Sequence, residues 1–188
     1  ITPRPLQQPH PPIWMAALTP PAIHHSVKKG YHIMTMPLRT EADGAKVQAD
    51  SFVRALPEGA DGVRPRLSML QFVYVAADKA DAEDKLRICH DTQKRFHNMF
   101  STTGDVRGGH IEPHPIELSL DELKSRTIIG TIDECHEKLA HYARLGIDEV
   151  VGNMSFGVPH RDTMAAMERL ARHIMPALAN VPAMQAAK

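Results

Sequence analysis

The stretch Ile13–Gly30, IWMAALTPPAIHHSVKKG, decides how the chain is read. Ile13 to Leu18 is a near-continuous apolar run of strand length, and the prolines before it (Pro9, Pro11, Pro12) hold the approach extended. Thr19 offers a helix-capping hydroxyl, and Pro20 takes the first helical position, where a missing N–H costs nothing. Lys28 and Lys29 place cations at the negative end of the helix dipole, and Gly30 supplies a left-handed stop. Eighteen residues therefore encode a strand, a tight loop and a helix.

The unit recurs along the chain. Tyr31–Met36 reads as the next strand and about Glu41–Ala55 as its helix. Leu67–Ala76 (LSMLQFVYVA) is a third strand rich in β-branched and aromatic residues, followed by a long charged helix over Asp81–Phe100. Thr131-Ile132-Asp133-Glu134 is a capping box, in which hydroxyl and carboxylate each satisfy an orphan N–H. The helix it opens repeats Ile132, Cys135, Leu139 and Tyr142 at helical spacing and stops at Gly146. Asp148–Met154 is the fourth strand and Arg161–Leu178 the last helix, with a frayed tail from Asn180. Four strands, apolar on both faces and alternating with helices, predict an α/β fold with a parallel sheet. A doubly wound sheet and a TIM barrel both fit, and the absence of the dinucleotide and phosphate-loop glycine motifs lowers the former.

Residues 101–119 break this rhythm. Gly104, Gly108, Gly109, Pro113 and Pro115 deny regular structure, and a loop of this length is functional or disordered. A short helix is expected over Leu120–Ser125.

Composition narrows the function. With 188 residues the chain suffices for one domain burying about 70% of its unfolded surface. Lys plus Arg and Asp plus Glu number 22 each, so no global field draws nucleic acid or an anionic membrane. The longest apolar runs fall far short of the roughly 20 residues that span a bilayer. Cys89 and Cys135, far apart and without a leader segment before them, read as buried thiols of a cytoplasmic protein. The twelve histidines hold no metal spacing: His110 and His114 bracket Pro113 and cannot be a helical ligand pair, so no metal is expected. His24, His25 and His160 read as surface or loop residues. Neither a nucleophile elbow nor a zinc-protease motif is present, and the catalytic residues stay unassigned.

Two segments carry a family resemblance. Thr2–Ile23 (TPRPLQQPHPPIWMAALTPPAI) is similar to the fifth strand and its approach in the bacterial luciferase-like flavin monooxygenases. Ile128–His160 (IIGTIDECHEKLAHYARLGIDEVVGNMSFGVPH), with MPAL at Met175–Leu178, resembles the last helices and eighth strand of that family. The resemblance implies the C-terminal half of a TIM-type (β/α)8 barrel, one domain fragment over residues 1–188 carrying strands five to eight with an insertion at about 101–119. A full barrel takes roughly 250 residues or more. It also implies that an N-terminal half precedes Ile1 and carries the catalytic histidine, and that the exposed first and last strands are covered by that half or by a second copy.

The resemblance further implies an FMN-dependent monooxygenase. A partner reductase supplies reduced FMN, O2 is the oxidant, and the substrate is a small organic molecule. Cofactor contacts fall at Leu18, Thr19 and Ala22, on the loop after the first strand of the chain. Pro20 and Pro21 remove two N–H donors there and Ala22 lacks a hydroxyl, so the site is leaner than the family's usual one. An F420-dependent dehydrogenase of the same fold and a non-catalytic barrel subunit are the alternatives. The insertion corresponds to a family loop near the pocket mouth, where it is a lid or disordered.

Overall fold

The computed structural model describes residues 4, 6–37, 44–57 and 64–179. The chain divides into two compact units, one formed by the described residues up to Leu70 with Leu145–Val151, the other by Gln71–Arg144 and the described residues from Gly152 on. The expected fraying from Asn180 lies outside the described residues.

In the first unit β1 (Trp14–Ala16) pairs in parallel with β2 (His32–Thr35), which pairs in parallel with the start of β3 (Leu67–Val75). The helix between β1 and β2 is α1 (Pro20–Lys28), and α2 (Gly44–Ala55) follows β2. The helix forms as the sequence dictates: Gly30 adopts φ +77° and turns the chain, with its N–H bonded to the Val27 carbonyl. Ile23, Val27, Ile33, Phe52, Leu67 and Met69 are buried. Each such side chain contributes about 1.5–3 kcal/mol. At the start of β3, the Leu67 N–H donates to Asp148 Oδ2 at 2.8 Å, while the Asp148 N–H donates to the Leu67 carbonyl at 3.0 Å. Arg64 holds the other oxygen of Asp148 at 2.8 Å. This exchange sets where β7 (Glu149–Asn153) meets β3, its sheet neighbour.

In the second unit the last residues of β3 pair in parallel with β6 (Ile128–Gly130), a three-residue strand beside the four that the sequence pattern shows. Its brevity hides it, because three apolar residues carry no period. Helix α3 (Lys79–Asn98) begins at Asp78, whose side chain accepts from the Asp81 N–H. Helix α4 (Leu120–Arg126) opens with a capping box between Ser119 and Glu122, and α5 (Ile132–Arg144) with the expected one between Thr131 and Glu134. The core is built from Val73, Tyr74, Val75, Leu86, Leu123, Ile128, Ile129 and Phe156.

The last helix is not continuous. Helix α6 (His160–Arg169) passes into a π-helical turn, Leu170–Ile174, and then α7 (Met175–Leu178). Pro176 has no N–H to give, and its ring crowds the carbonyl four residues back, so the chain widens by one residue ahead of it.

Residues 101–112 are an ordered hairpin. Strand β4 (Val106–Arg107) pairs antiparallel with β5 (His110–Ile111), and Gly108 and Gly109 at φ +54° and +81° make the two-residue turn. Asn98 holds its base, donating to the carbonyls of Asp105 and Glu112 at 2.8 and 2.6 Å. The hairpin follows the C-terminus of α3, a helix of 20 residues and so about 30 Å long.

Candidate functional site

Barrel-type active sites gather at the C-terminal ends of strands. In the first unit those ends are Ala17-Leu18-Thr19 after β1 and Met36-Pro37 after β2, Leu38 lying outside the described residues. Thr19 occupies the N-cap position of α1 with φ −112° and ψ 147°, yet its side chain makes no capping bond. Of the two amides a capping hydroxyl serves, that of Pro21 at the second helical position is missing, and that of Ala22 at the third is not met by the Thr19 side chain. The first amide to join the helical ladder is that of Ile23, bonding the Thr19 carbonyl at 3.0 Å. The Ala22 N–H is left as the orphan amide of the first turn, at the positive end of the dipole. Ala22 and Thr19 are exposed, and Leu18 is 47% exposed. The Leu18 carbonyl accepts from Gln48 Nε2 at 3.1 Å, and the Pro20 carbonyl from Ser51 Oγ at 3.2 Å. Two side chains of α2 thus fix the loop in place.

This arrangement suits an anion such as a phosphate in a limited way. It offers one free hydroxyl, one free amide and a helix dipole, with no acidic residue in the first turn of α1. Leu18 and Thr19 lie on the loop after β1 and Ala22 in the first turn of α1. Gln48 was not foreseen, because nothing in its local pattern says that a residue thirty positions on reaches back to a loop.

In the second unit the ends are Ala76-Ala77-Asp78 after β3 and Met154–Gly157 after β7. Asp81 Oδ2 accepts from the Ala77 N–H at 2.9 Å, and the Tyr74 hydroxyl lies 3.3 Å from the same oxygen. Lys85, 7% exposed, reaches Asp81, Asp84 and Asp162 at 3.3, 2.9 and 3.3 Å. Arg169 donates from Nε to the Val75 carbonyl at 2.7 Å. Burial opposes the charge on Lys85, but hydrogen bonds to Asp84, Asp162 and Asp81 raise its pKa above the ordinary value. Burial likewise opposes the Asp81 carboxylate, but the Ala77 amide, Lys85 and Tyr74 hold its pKa below the usual range. Both groups stay charged near neutrality, so the cluster fastens the rim through ion pairs.

The loop after β7 is equally fixed. The Phe156 ring, 3% exposed, meets Phe72 edge-on at 5.5 Å, and the Phe156 carbonyl accepts from Thr92 Oγ1 at 2.8 Å. Gly157 takes φ +95° to make the turn. Thr92 had no sequence signal of its own role.

Other groups with shifted titration are poor reagents. Burial pushes the Cys89 and Cys135 thiols up to about 12, and a thiol that does not ionise is a poor nucleophile. Burial lowers the pKa of Lys138, whose Nζ donates to the carbonyls of Lys124 and Thr127 and so closes the end of α4. Among the described residues no group of three or more His, Cys, Asp or Glu is disposed to hold a metal ion, and no helix is long and apolar enough to cross a membrane. His114 stacks on His97 at 5.5 Å, His110 lies in β5, and His24 and His25 line a groove between α1 and α2.

The sequence profile of the luciferase-like monooxygenases matches residues 1–149. A flavin-dependent trigonelline monooxygenase, oxygenase component, from Acinetobacter baylyi is 27% identical over 183 residues, covering 93% of this chain and 51% of its own. Among solved structures, a monooxygenase from Streptomyces bottropensis aligns with a TM-score of 0.62 at 21% identity, over 94% of this chain and 51% of that one. An F420-dependent secondary alcohol dehydrogenase bound to an F420–acetone adduct aligns with a TM-score of 0.62 at 16% identity, over 91% and 50%. At such identities the two structures speak for the fold, parallel strands alternating with helices. The chain spans about half the length of the curated relative it matches.

Proposed function

Because the chain belongs to the luciferase-like monooxygenase family, we propose that it forms part of a flavin-dependent monooxygenase acting with reduced FMN and O2 on a small organic substrate. Reduced FMN, when bound, supplies the two electrons with which O2 yields one oxygen atom for the substrate and one for water. The protein binds, orients and excludes water. Thr19 Oγ1 and the Ala22 N–H would hold the phosphate, and the loop bearing Leu18 is kept in register by Gln48 and Ser51.

The observation that carries the cofactor contact is the Thr19 hydroxyl, free of any capping bond beside the orphan Ala22 amide. A separate reductase as electron source is supported by the relative's description as an oxygenase component. Met15, Leu18, Met34 and Val151 are 40, 47, 41 and 39% exposed in the first unit. We read them as the surface that further strands cover in a complete barrel, supplied by additional sequence or by a second copy. The buried, unpaired thiols Cys89 and Cys135 suit the reducing cytoplasm.

The test uses a complete barrel containing this segment. Thr19→Ala should weaken FMN about tenfold and leave riboflavin binding unchanged, because only the phosphate contact is lost. Equal losses for both flavins would sink the assignment. The 188-residue chain alone should bind flavin weakly and turn nothing over, and robust FMNH2-dependent oxygenation by it would overturn that. An F420-dependent dehydrogenase of the same fold is the second reading; saturable binding of F420 with none of FMN would select it. A non-catalytic subunit is favoured by Pro20 and Pro21, which thin the anion site, and absence of saturable binding of either cofactor would select it.

A further inference from the structure

We propose that the groove between α1 and α2 is a second ligand site, separate from Thr19 and Ala22, for a small amphipathic anion of the aromatic or alicyclic carboxylate class. The groove holds about 650 Å³, within the roughly 300–1,000 Å³ that ligand pockets occupy. It is formed by two helices of one unit, already fastened to each other. Gln48 on α2 donates to the Leu18 carbonyl, and Ser51 to the Pro20 carbonyl at the start of α1. The site is therefore preformed, which spares a ligand the cost of ordering it.

Its lining has an apolar part and a cationic part. Pro20, Pro21 and Val47 give the apolar part; their side chains offer no hydrogen bond, and Val47 is 51% exposed where a ligand would cover it. Lys28 and Arg54 give the cationic part, with His24 and His25 between them and the prolines. Among the described residues Lys28, His24 and His25 have neither a hydrogen-bond nor an ion-pair partner. Asp50, the carboxylate of the lining, is answered by Lys46 at 2.6 Å and less closely by Arg54 at 3.8 Å. Lys28 and the adjacent Lys29 outweigh the half charge at the C-terminus of α1.

The excess of positive charge selects an anion, and the proline and valine surface selects one with an apolar body. A carboxylate suits Arg54, whose guanidinium can meet both its oxygens. A bare anion would leave the apolar wall uncovered.

The test is a titration of a complete barrel containing this segment with benzoate, and separately with inorganic phosphate, followed by calorimetry and by amide chemical shifts. Benzoate should saturate one site, with shifts confined to α1 and α2. The K28Q/R54Q variant should weaken it about tenfold or more. The charge-keeping K28R/R54K variant should retain binding, which separates loss of charge from loss of fold, and T19A should leave it unchanged. Non-saturable benzoate shifts, insensitivity to K28Q/R54Q, or phosphate binding as tightly as benzoate would each overturn the proposal.

Discussion

The Thr92 hydroxyl donates to the Phe156 carbonyl at 2.8 Å, fixing the loop after β7 to the middle of α3. Thr92→Val keeps the shape and removes the donor, leaving that carbonyl unpaired beside a buried ring. We expect a loss of about 1–2 kcal/mol, read as a lower urea midpoint, with faster amide exchange over residues 155–158. Unchanged exchange there would show that the Phe156 ring alone holds the loop.

Lys85 is the single ammonium facing Asp81, Asp84 and Asp162. Lys85→Met removes the cation shared by the three carboxylates and leaves Asp81 to Arg169 at 3.9 Å and Asp162 to Arg161 at 3.5 Å, at a cost of roughly 2–3 kcal/mol, less than for a fully buried pair because the aspartates reach solvent. Asp162→Asn should cost less, since Asp81 and Asp84 still answer the lysine. A urea midpoint for Lys85→Met equal to wild type would refute the fastening role.

Most of the alternation was legible in the sequence because each helix announces its own ends. Gly30, Gly146 and the Thr131–Glu134 box are local signals, and the structure uses all three. Strand β6 was not legible, because Ile128–Gly130 is too short to show a period. The π turn was not, because one added residue before Pro176 leaves composition unchanged. At the candidate site the residues of the loop itself could be named, but the side chains that hold it, Gln48 and Ser51, lie on another helix and are set by packing.

The Glu134 carboxyl is held down to about 2 from 4.5, first by the Thr131 N–H and then by Lys124, with burial opposing. Its pKa is lower in the folded than in the unfolded chain, so its stabilisation is complete above about 4.5 and is lost as pH falls through about 2. Glu134→Gln should therefore be less stable than wild type near neutrality, with the gap narrowing between those two pH values. Thermal melts of both proteins across that range check it, and a constant gap would contradict it.

Gly104 lies against Asn98, and a Cβ there would fall 1.9 Å from Asn98 Oδ1. Gly104→Ala must push Asn98 off its two carbonyl partners. We expect rapid amide exchange over residues 101–112 with the global melting midpoint moved by no more than a few degrees. Equal protection in variant and wild type would refute the anchoring role of Asn98.

The hairpin's place at the far end of α3 makes Gly108–Gly109 the practical graft point of the chain. A fluorophore or peptide tag inserted there would sit beyond the C-terminus of α3, a helix of 20 residues and so about 30 Å long. Such a label would report on tumbling and association while leaving the strand ends untouched.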